Sequence, residues 1–159
     1  TVDCGNVFND LALPLTLSVW ARMETVVGNH TLFMTDYNEA FDAYYGVRIK
    51  IIDGSLEAFY GDGTRAGISG RRGARSEPIL AAGEWVHLAA VLASPTDLTL
   101  YVDGQAVGAT TEGYGGALRQ SEGTMQFGTG TTNGAIDEAY LYSRALTADE
   151  VQVLYGAGR

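Results

Sequence analysis

The chain carries one cysteine (Cys4), one lysine (Lys50) and only three prolines among its 159 residues. A lone cysteine excludes an intrachain disulfide and any zinc site built from cysteines. Ten basic against 19 acidic residues give a net charge of −9. So acidic a chain lacks the clustered cations that neutralise phosphate, which argues against nucleic acid or an anionic membrane surface as the main partner. No apolar run approaches the ~18 residues needed to cross a bilayer, so membrane insertion is not expected. No signal peptide is visible, as would also hold for a mature secreted chain. With two histidines and no Gly-x-Ser-x-Gly elbow, there is little material for nucleophile-and-base chemistry.

Glycine, by contrast, is abundant: 21 residues, nearly twice the ordinary share of about 7%. The glycines fall between short apolar runs, the pattern of many tight turns and an all-β fold. LTLSVWARM (15–23) alternates Leu15, Leu17, Val19 and Ala21 with Thr16, Ser18, Trp20 and Arg22. TLFMT (31–35), YGVRIKII (45–52), SLEAFYG (55–61), WVHLAAVL (85–92), DLTLYVD (97–103), QAVGAT (105–110), TMQFGT (124–129) and AIDEAYLYS (135–143) complete about nine strands. Asp53-Gly54 and Asp103-Gly104 are two-residue hairpin signals. Without helices to make crossovers, the strands should be antiparallel. One helix is expected. Thr147 and Glu150 form a capping box, Leu146 and Val151 a hydrophobic staple, and Gly156 is expected to stop the helix after two turns. The strandless segments are 36–44, 62–76 and 111–123. The second, DGTRAGISGRRGARS, reads as a mobile surface loop.

The order of motifs in the second half is specific. EWVHLAAVL (84–92) precedes LTLYVDGQAVG (98–108), then FGTG (127–130), then GAIDEAYLYSRALTADEVQVLYGAG (134–158). This set resembles the laminin-G-like or pentraxin-like jelly roll of the concanavalin A-like superfamily, in the form common in secreted bacterial proteins. LTLSVWARM resembles that family's early core strand. The resemblance implies one domain over residues 1–159, a two-sheet antiparallel sandwich with a short C-terminal helix. It also implies an extracellular, non-catalytic carbohydrate-binding role, alone or within a larger secreted enzyme or adhesin. The family usually begins with a further strand before the TVDCGN-like segment. Its absence leaves an open sheet edge as an expectation, and with it an alternative role: a structural or adhesive subunit that self-associates or docks a protein partner there.

A retaining glycosidase needs two carboxyls roughly 5–5.5 Å apart. Glu39 and Asp42 lie in a loop, Asp149 and Glu150 belong to the helix start, and Asp137 and Glu138, adjacent on a strand, should face opposite sides. No catalytic residue is therefore assigned. His87, between apolar strand residues, reads as a packed, hydrogen-bonded histidine. Trp20 and Trp85 read as core. The segment TDYNEAFDAYY (35–45) offers Asp36, Tyr37, Asn38, Asp42 and Tyr45, the mixture of aromatic faces and fixed polar groups that sugars require, and Tyr114 is a second exposed aromatic. The alternative is an ordinary polar loop anchored by tyrosines. Arg71 and Arg72, with Arg65 and Arg75, would meet sulfated or uronic-acid polysaccharide, or else form a solvated loop that offsets the acidic surface. The resemblance further implies one structural calcium ion at Asp137 and the Gly28-Asn29 turn. The alternative is that Asp137 only accepts backbone hydrogen bonds.

Overall fold

The computed structural model describes residues 1–38, 42–129 and 131–158. The described residues form twelve strands: β1 (Val2–Asp3), β2 (Leu15–Met23), β3 (Asn29–Tyr37), β4 (Val47–Ile52), β5 (Ser55–Gly61), β6 (Arg71–Ser76), β7 (Trp85–Ser94), β8 (Asp97–Val102), β9 (Gln105–Val107), β10 (Ala109–Glu112), β11 (Thr124–Thr129) and β12 (Gly134–Tyr142). One α-helix, α1 (Ala148–Ala157), follows them, and a short 3₁₀ turn (Ile68–Gly70) precedes β6. The strands make a seven-stranded sheet, β1-β11-β3-β4-β5-β6-β10, and a five-stranded sheet, β12-β2-β7-β8-β9. The two antiparallel sheets pack as a jelly-roll sandwich.

Period-two alternation builds the core between them. Leu15, Leu17, Val19 and Ala21 of β2, with Leu88, Ala90 and Leu92 of β7, meet Val47, Ile49 and Ile51 of β4 and Leu56, Ala58 and Tyr60 of β5. Burying each large apolar side chain contributes about 1.5–3 kcal/mol. The Asp-Gly pairs turn the chain as their chemistry predicts. Asp53 and Gly54 take φ of 49° and 78°, Asp103 and Gly104 take 49° and 76°, and both hairpins close tightly.

The helix packs on the other face of the five-stranded sheet. Leu146 and Val151 are buried with Ala89, Val91 and Tyr101, which explains why β2 is buried on both of its faces. The capping box is present: the Thr147 hydroxyl accepts from the Glu150 N–H, and the Glu150 carboxylate accepts from the Thr147 N–H at 2.9 Å. The helix does not stop at Gly156 but runs through it to Ala157. Tyr155 stacks on Trp20, with ring centroids 5.8 Å apart and planes 18° apart. A stacked aromatic pair contributes about 0.5–1.5 kcal/mol, comparable to the roughly 1 kcal/mol that glycine costs a helix interior.

Two further expectations are corrected. Segment 71–76 is not a mobile loop but a strand within the seven-stranded sheet, paired to β5 and β10. Its alternation is real but polar: Arg72 and Ala74 share a face with Tyr60 and Ala58, while Arg71 and Arg75 lie on the opposite face with Glu57. Segment QAVGAT is two strands. The chain changes sheets at Gly108, between β9 and β10. Near the N-terminus, β1 pairs with β11 through Val2↔Phe127 and Asp3↔Gln126. On the five-stranded sheet, β12 is an end strand with β2 as its one strand neighbour among the described residues.

Candidate functional site

The rim residues singled out in 35–45 do not form one group. Asp36, at the end of β3, is 1% exposed. Its carboxylate accepts hydrogen bonds from the Ser121 N–H and, at 2.6 Å, from the Ser121 hydroxyl, whose oxygen in turn accepts from the Gly123 N–H. Asp36 is thus an anchor for the 121–123 loop. Next to it, Tyr37 and Asn38 line a hollow of about 520 Å³ together with Asp3, Ser121, Glu122, Gly123, Thr124 and Gln126. The Asp3 carboxylate accepts from the Gly5 N–H, the Thr124 hydroxyl and the Gln126 amide. Those bonds, the Gly5 one foremost, lower its pKa.

Asp42, Tyr45 and Tyr114 lie outside this hollow. The Asp42 carbonyl accepts from the Ala66 N–H, and the Tyr45 ring lies against Gly63, where a β-carbon would come within 2.5 Å of it. Both residues tie the loop before β4 to the segment after β5. Tyr114 is 77% exposed. Glu39 lies outside the described residues.

The four arginines are dispersed and mostly engaged. Arg71 pairs with Glu57 at 2.8 Å and Glu112 at 3.2 Å, and Lys50 also reaches Glu57 at 3.0 Å. This chain of charges lies on the outer face of the seven-stranded sheet, with the Arg71 guanidinium 4.7 Å from the Phe59 ring centre. Phe59 sits opposite Gly73, where any side chain would collide with it. Arg72 points the other way and bonds the carbonyls of Gly115 and Pro95, and Arg75 reaches the Ile52 carbonyl. Arg65 is exposed.

Asn29 and Asp137 of the expected calcium site lie on strands of different sheets. Asn29 pairs with Ile52 in the seven-stranded sheet, whereas Asp137 pairs with Trp20 in the five-stranded one. The Gly28 N–H donates to Asp53, the Asn29 carbonyl accepts from Thr131, and Asp137 Oδ1 accepts from the Glu138 N–H. Among the described residues no group of three or more His, Cys, Asp or Glu is placed to hold a metal ion. Asp137 accepts a backbone hydrogen bond, as the plainer expectation has it.

A second concavity lies on the outer face of the five-stranded sheet, beside the C-terminal end of α1. Trp20, Trp85, Asp103, Asp137, Glu138, Tyr155 and Gly158 line about 490 Å³. Three earlier expectations change here. Trp85 is not core but 44% exposed, since it shares the outer face with Trp20 and α1 ends short of it. Trp20 is buried, yet against Tyr155 and His87 rather than between the sheets. Asp137 and Glu138 share the cavity because β12 breaks alternation there. Its register shifts between Asp137 and Tyr140, and Glu138 takes a left-handed φ of 46°. Composition alone carries no sign of that bulge. The exposure of Trp85 and the outward place of Trp20 had a signal that the core reading passed over: both are large aromatics at the polar positions of their strands.

Beneath α1, Ser18 Oγ and His87 Nε2 are 2.9 Å apart. Both residues are 1% exposed, and burial lowers the His87 pKa. Asp103 bonds the His87 backbone N–H instead of its ring, and Nδ1 has no partner among the described residues. The pair is shut off from solvent, and His87 is the buried, hydrogen-bonded histidine its surroundings predict.

Known structures share this architecture. The receptor-binding domain of botulinum neurotoxin D superposes with a TM-score of 0.67 at 12% identity, over 96% of this chain and 39% of that one. The botulinum neurotoxin type G receptor-binding domain gives 0.65 at 14%, over 91% and 38%. The binding domain of botulinum neurotoxin DC, solved with rat synaptotagmin II, gives 0.65 at 12%, over 91% and 36%. The chain thus spans less than two-fifths of each of these neighbours, and at such identities the likeness is one of fold. No curated protein matches the sequence. A family model described as the concanavalin A-like lectin/glucanases superfamily matches residues 3–152. With its paired sheets, Asp-Gly hairpins and capped terminal helix, the chain belongs to that superfamily.

Proposed function

We propose that this domain is a non-catalytic, extracellular glycan-binding module that acts alone or within a larger secreted protein. The observation that carries this reading is the polar hollow at the rim of the seven-stranded sheet. Tyr37 supplies an aromatic wall, and the Asp36–Ser121 and Asp3–Thr124–Gln126 networks hold its polar groups in place. A ligand then meets groups whose ordering cost is already met by the fold. Sugar recognition needs this pairing of flat faces with fixed donors and acceptors. Affinity at one such site is expected to be weak and raised by multivalency. Among the described residues no helix is long and apolar enough to cross a membrane.

A glycan array probed with the purified domain, with and without chelator, tests the reading. We expect binding that survives chelation and falls at least about tenfold, ~1.4 kcal/mol, in Tyr37→Ala and Asn38→Ala. A blank array overturns it. In that case the second reading, a module that docks a protein strand, is favoured by a specific feature. Beyond β12, the end strand of its sheet, lies a hollow of about 530 Å³ lined in part by Val2, Phe127, Ile136 and Ala139. That reading predicts a concentration-resistant oligomer on size-exclusion chromatography.

A further inference from the structure

The connection from β10 to β11 runs along the rim that carries the hollow. Register places Tyr37 of β3, Val47 of β4, Gly61 of β5, Arg71 of β6 and Glu112 of β10 at one end of the seven-stranded sheet. Segment 113–123 crosses these strand ends in turn and is hydrogen-bonded to them along its length. The Gly115 N–H donates to the Arg71 carbonyl at 2.9 Å, and the Gly116 N–H to the Asp62 carboxylate at 2.7 Å. Farther on, the Arg119 N–H donates to the Gly61 carbonyl at 3.0 Å, and the Arg119 carbonyl accepts from the Gly46 N–H at 2.8 Å. The Ser121 hydroxyl on Asp36 completes the series. The segment is thus a ledge fixed to the sheet.

Leu118 of the ledge packs toward the core, while Tyr114, Gly116, Ala117, Arg119 and Glu122 are exposed. Glu122 already lines the rim hollow, and Tyr114 stands at the opposite end. Four strand intervals separate β3 from β10, about 19 Å at ordinary strand spacing. At 77% exposure, Tyr114 exceeds every other large hydrophobic side chain among the described residues. Yet its backbone is firmly placed. Its N–H donates to the Ile68 carbonyl at 2.9 Å, Gly113 before it takes a φ of 89°, and Arg72 Nε donates to the Gly115 carbonyl after it. Gly113 is required there, since a β-carbon would lie 2.1 Å from the Arg71 carbonyl oxygen. A ligand that covers this ring has only its two side-chain torsions to order.

We propose that the rim takes the interior of a polysaccharide chain, several sugar units long, rather than a single terminal sugar. This rests on the reading of the rim hollow as a glycan site. One unit occupies the hollow against Tyr37, the following units run past Glu122, Arg119 and the small Gly116–Ala117 surface, and a distal unit stacks its C–H face on Tyr114. Arg119 donates and Glu122 accepts hydrogen bonds, which suits the hydroxyls of successive units. Each contact alone is weak. A chain that reaches both ends gains because its second contact forms at high effective concentration. Dependence on chain length, carried by Tyr114, is therefore the signature of the ledge.

The test is calorimetric titration with ladders of cello-, xylo-, manno- and laminari-oligosaccharides, from disaccharide to hexasaccharide. A hexasaccharide fits a one-contact site in several registers, which by itself raises its affinity about fivefold over the disaccharide. Two linked contacts are expected to raise it on the order of thirtyfold or more in the ladder that binds. Tyr114→Ala should cut that gain to the register effect and leave the disaccharide unchanged, and Tyr114→Phe, which keeps the ring, should retain the gain. A gain no larger than the register effect, an undiminished hexasaccharide affinity in Tyr114→Ala, or no binding by any ladder overturns the proposal. The first two results leave the hollow standing as a glycan site. The hollow is read separately through Tyr37→Ala, which should weaken disaccharide and hexasaccharide alike; hexasaccharide binding untouched by that variant overturns the hollow instead. Thermal melts of each variant separate loss of binding from loss of fold.

Discussion

The outer faces of the two sheets use charge in opposite ways. On the seven-stranded sheet, Lys50, Glu57, Arg71 and Glu112 form one continuous chain of ion pairs, and Glu57 at its centre is 3% exposed. On the five-stranded sheet, Asp103, Asp137 and Glu138 line a cavity together with a tryptophan whose N–H has no partner among the described residues. The difference is informative about function. Charges satisfied by one another are scaffolding, because breaking them leaves a buried ion uncompensated. Carboxylates gathered in one cavity instead raise the local negative potential. The rim hollow stands between these cases, with its Asp3 carboxylate held by Gly5, Thr124 and Gln126.

The comparison breaks most visibly at Glu57. Glu57→Ala leaves Lys50 and Arg71 facing each other without their shared anion, and it should cost about 3–5 kcal/mol, read as a lower midpoint in urea. A loss below about 1 kcal/mol would mean that the network is solvated like surface pairs. The next effect concerns the helix-covered part of the five-stranded sheet. Val151 is fully buried, and Val151→Ala should cost about 2 kcal/mol in lost burial and cavity formation. It should also raise tryptophan solvent exposure, seen as a red-shifted emission, because Tyr155 on the same helix holds Trp20. An unshifted spectrum would show that the cavity wall stands without α1.

The smallest effect is set by pH. Glu150 is pulled to a pKa of about 2, first by the Arg144 side chain and then by the Thr147 N–H. Its folded pKa is depressed below the ordinary 4.5, so ionised Glu150 stabilises the fold above the unfolded value. That contribution is lost as the pH falls from there through about 2. Glu150→Gln should therefore flatten part of the acid limb of stability against pH, measured as melting temperature. An unchanged limb would assign acid sensitivity to other carboxylates. Asp3, with its own lowered pKa, is the first alternative.

Legibility in the sequence follows the locality of the interaction. The capping box of α1 and the two Asp-Gly turns depend on contacts within four residues, and each forms as its residues predict. The alternation of β2 is equally local, because one face of the strand meets an apolar core whatever the topology. Strand β6 was illegible because RRGARS has no apolar face to recognise. Its arginines pair with Glu57 and Glu112 on neighbouring strands, and with Pro95, which lies between β7 and β8 of the other sheet. The candidate rim group divided for the same reason. Tyr37 and Asn38 meet the 121–126 loop, whereas Asp42 and Tyr45 meet the 63–66 segment, and nothing in the run from 35 to 45 announces that split.

By itself, the sequence determined the all-β class, the antiparallel hairpins, the capped helix and the superfamily, since periodicity, turn chemistry and motif order are properties of neighbouring residues. Only the tertiary structure decided which polar groups come together in one concavity. The Glu138 bulge turns two adjacent carboxylates into one cavity, α1 ends short of Trp85, and Glu57 draws two cations out of service. Each outcome depends on strands far apart in the chain, whose register is set by the packing of the whole sandwich.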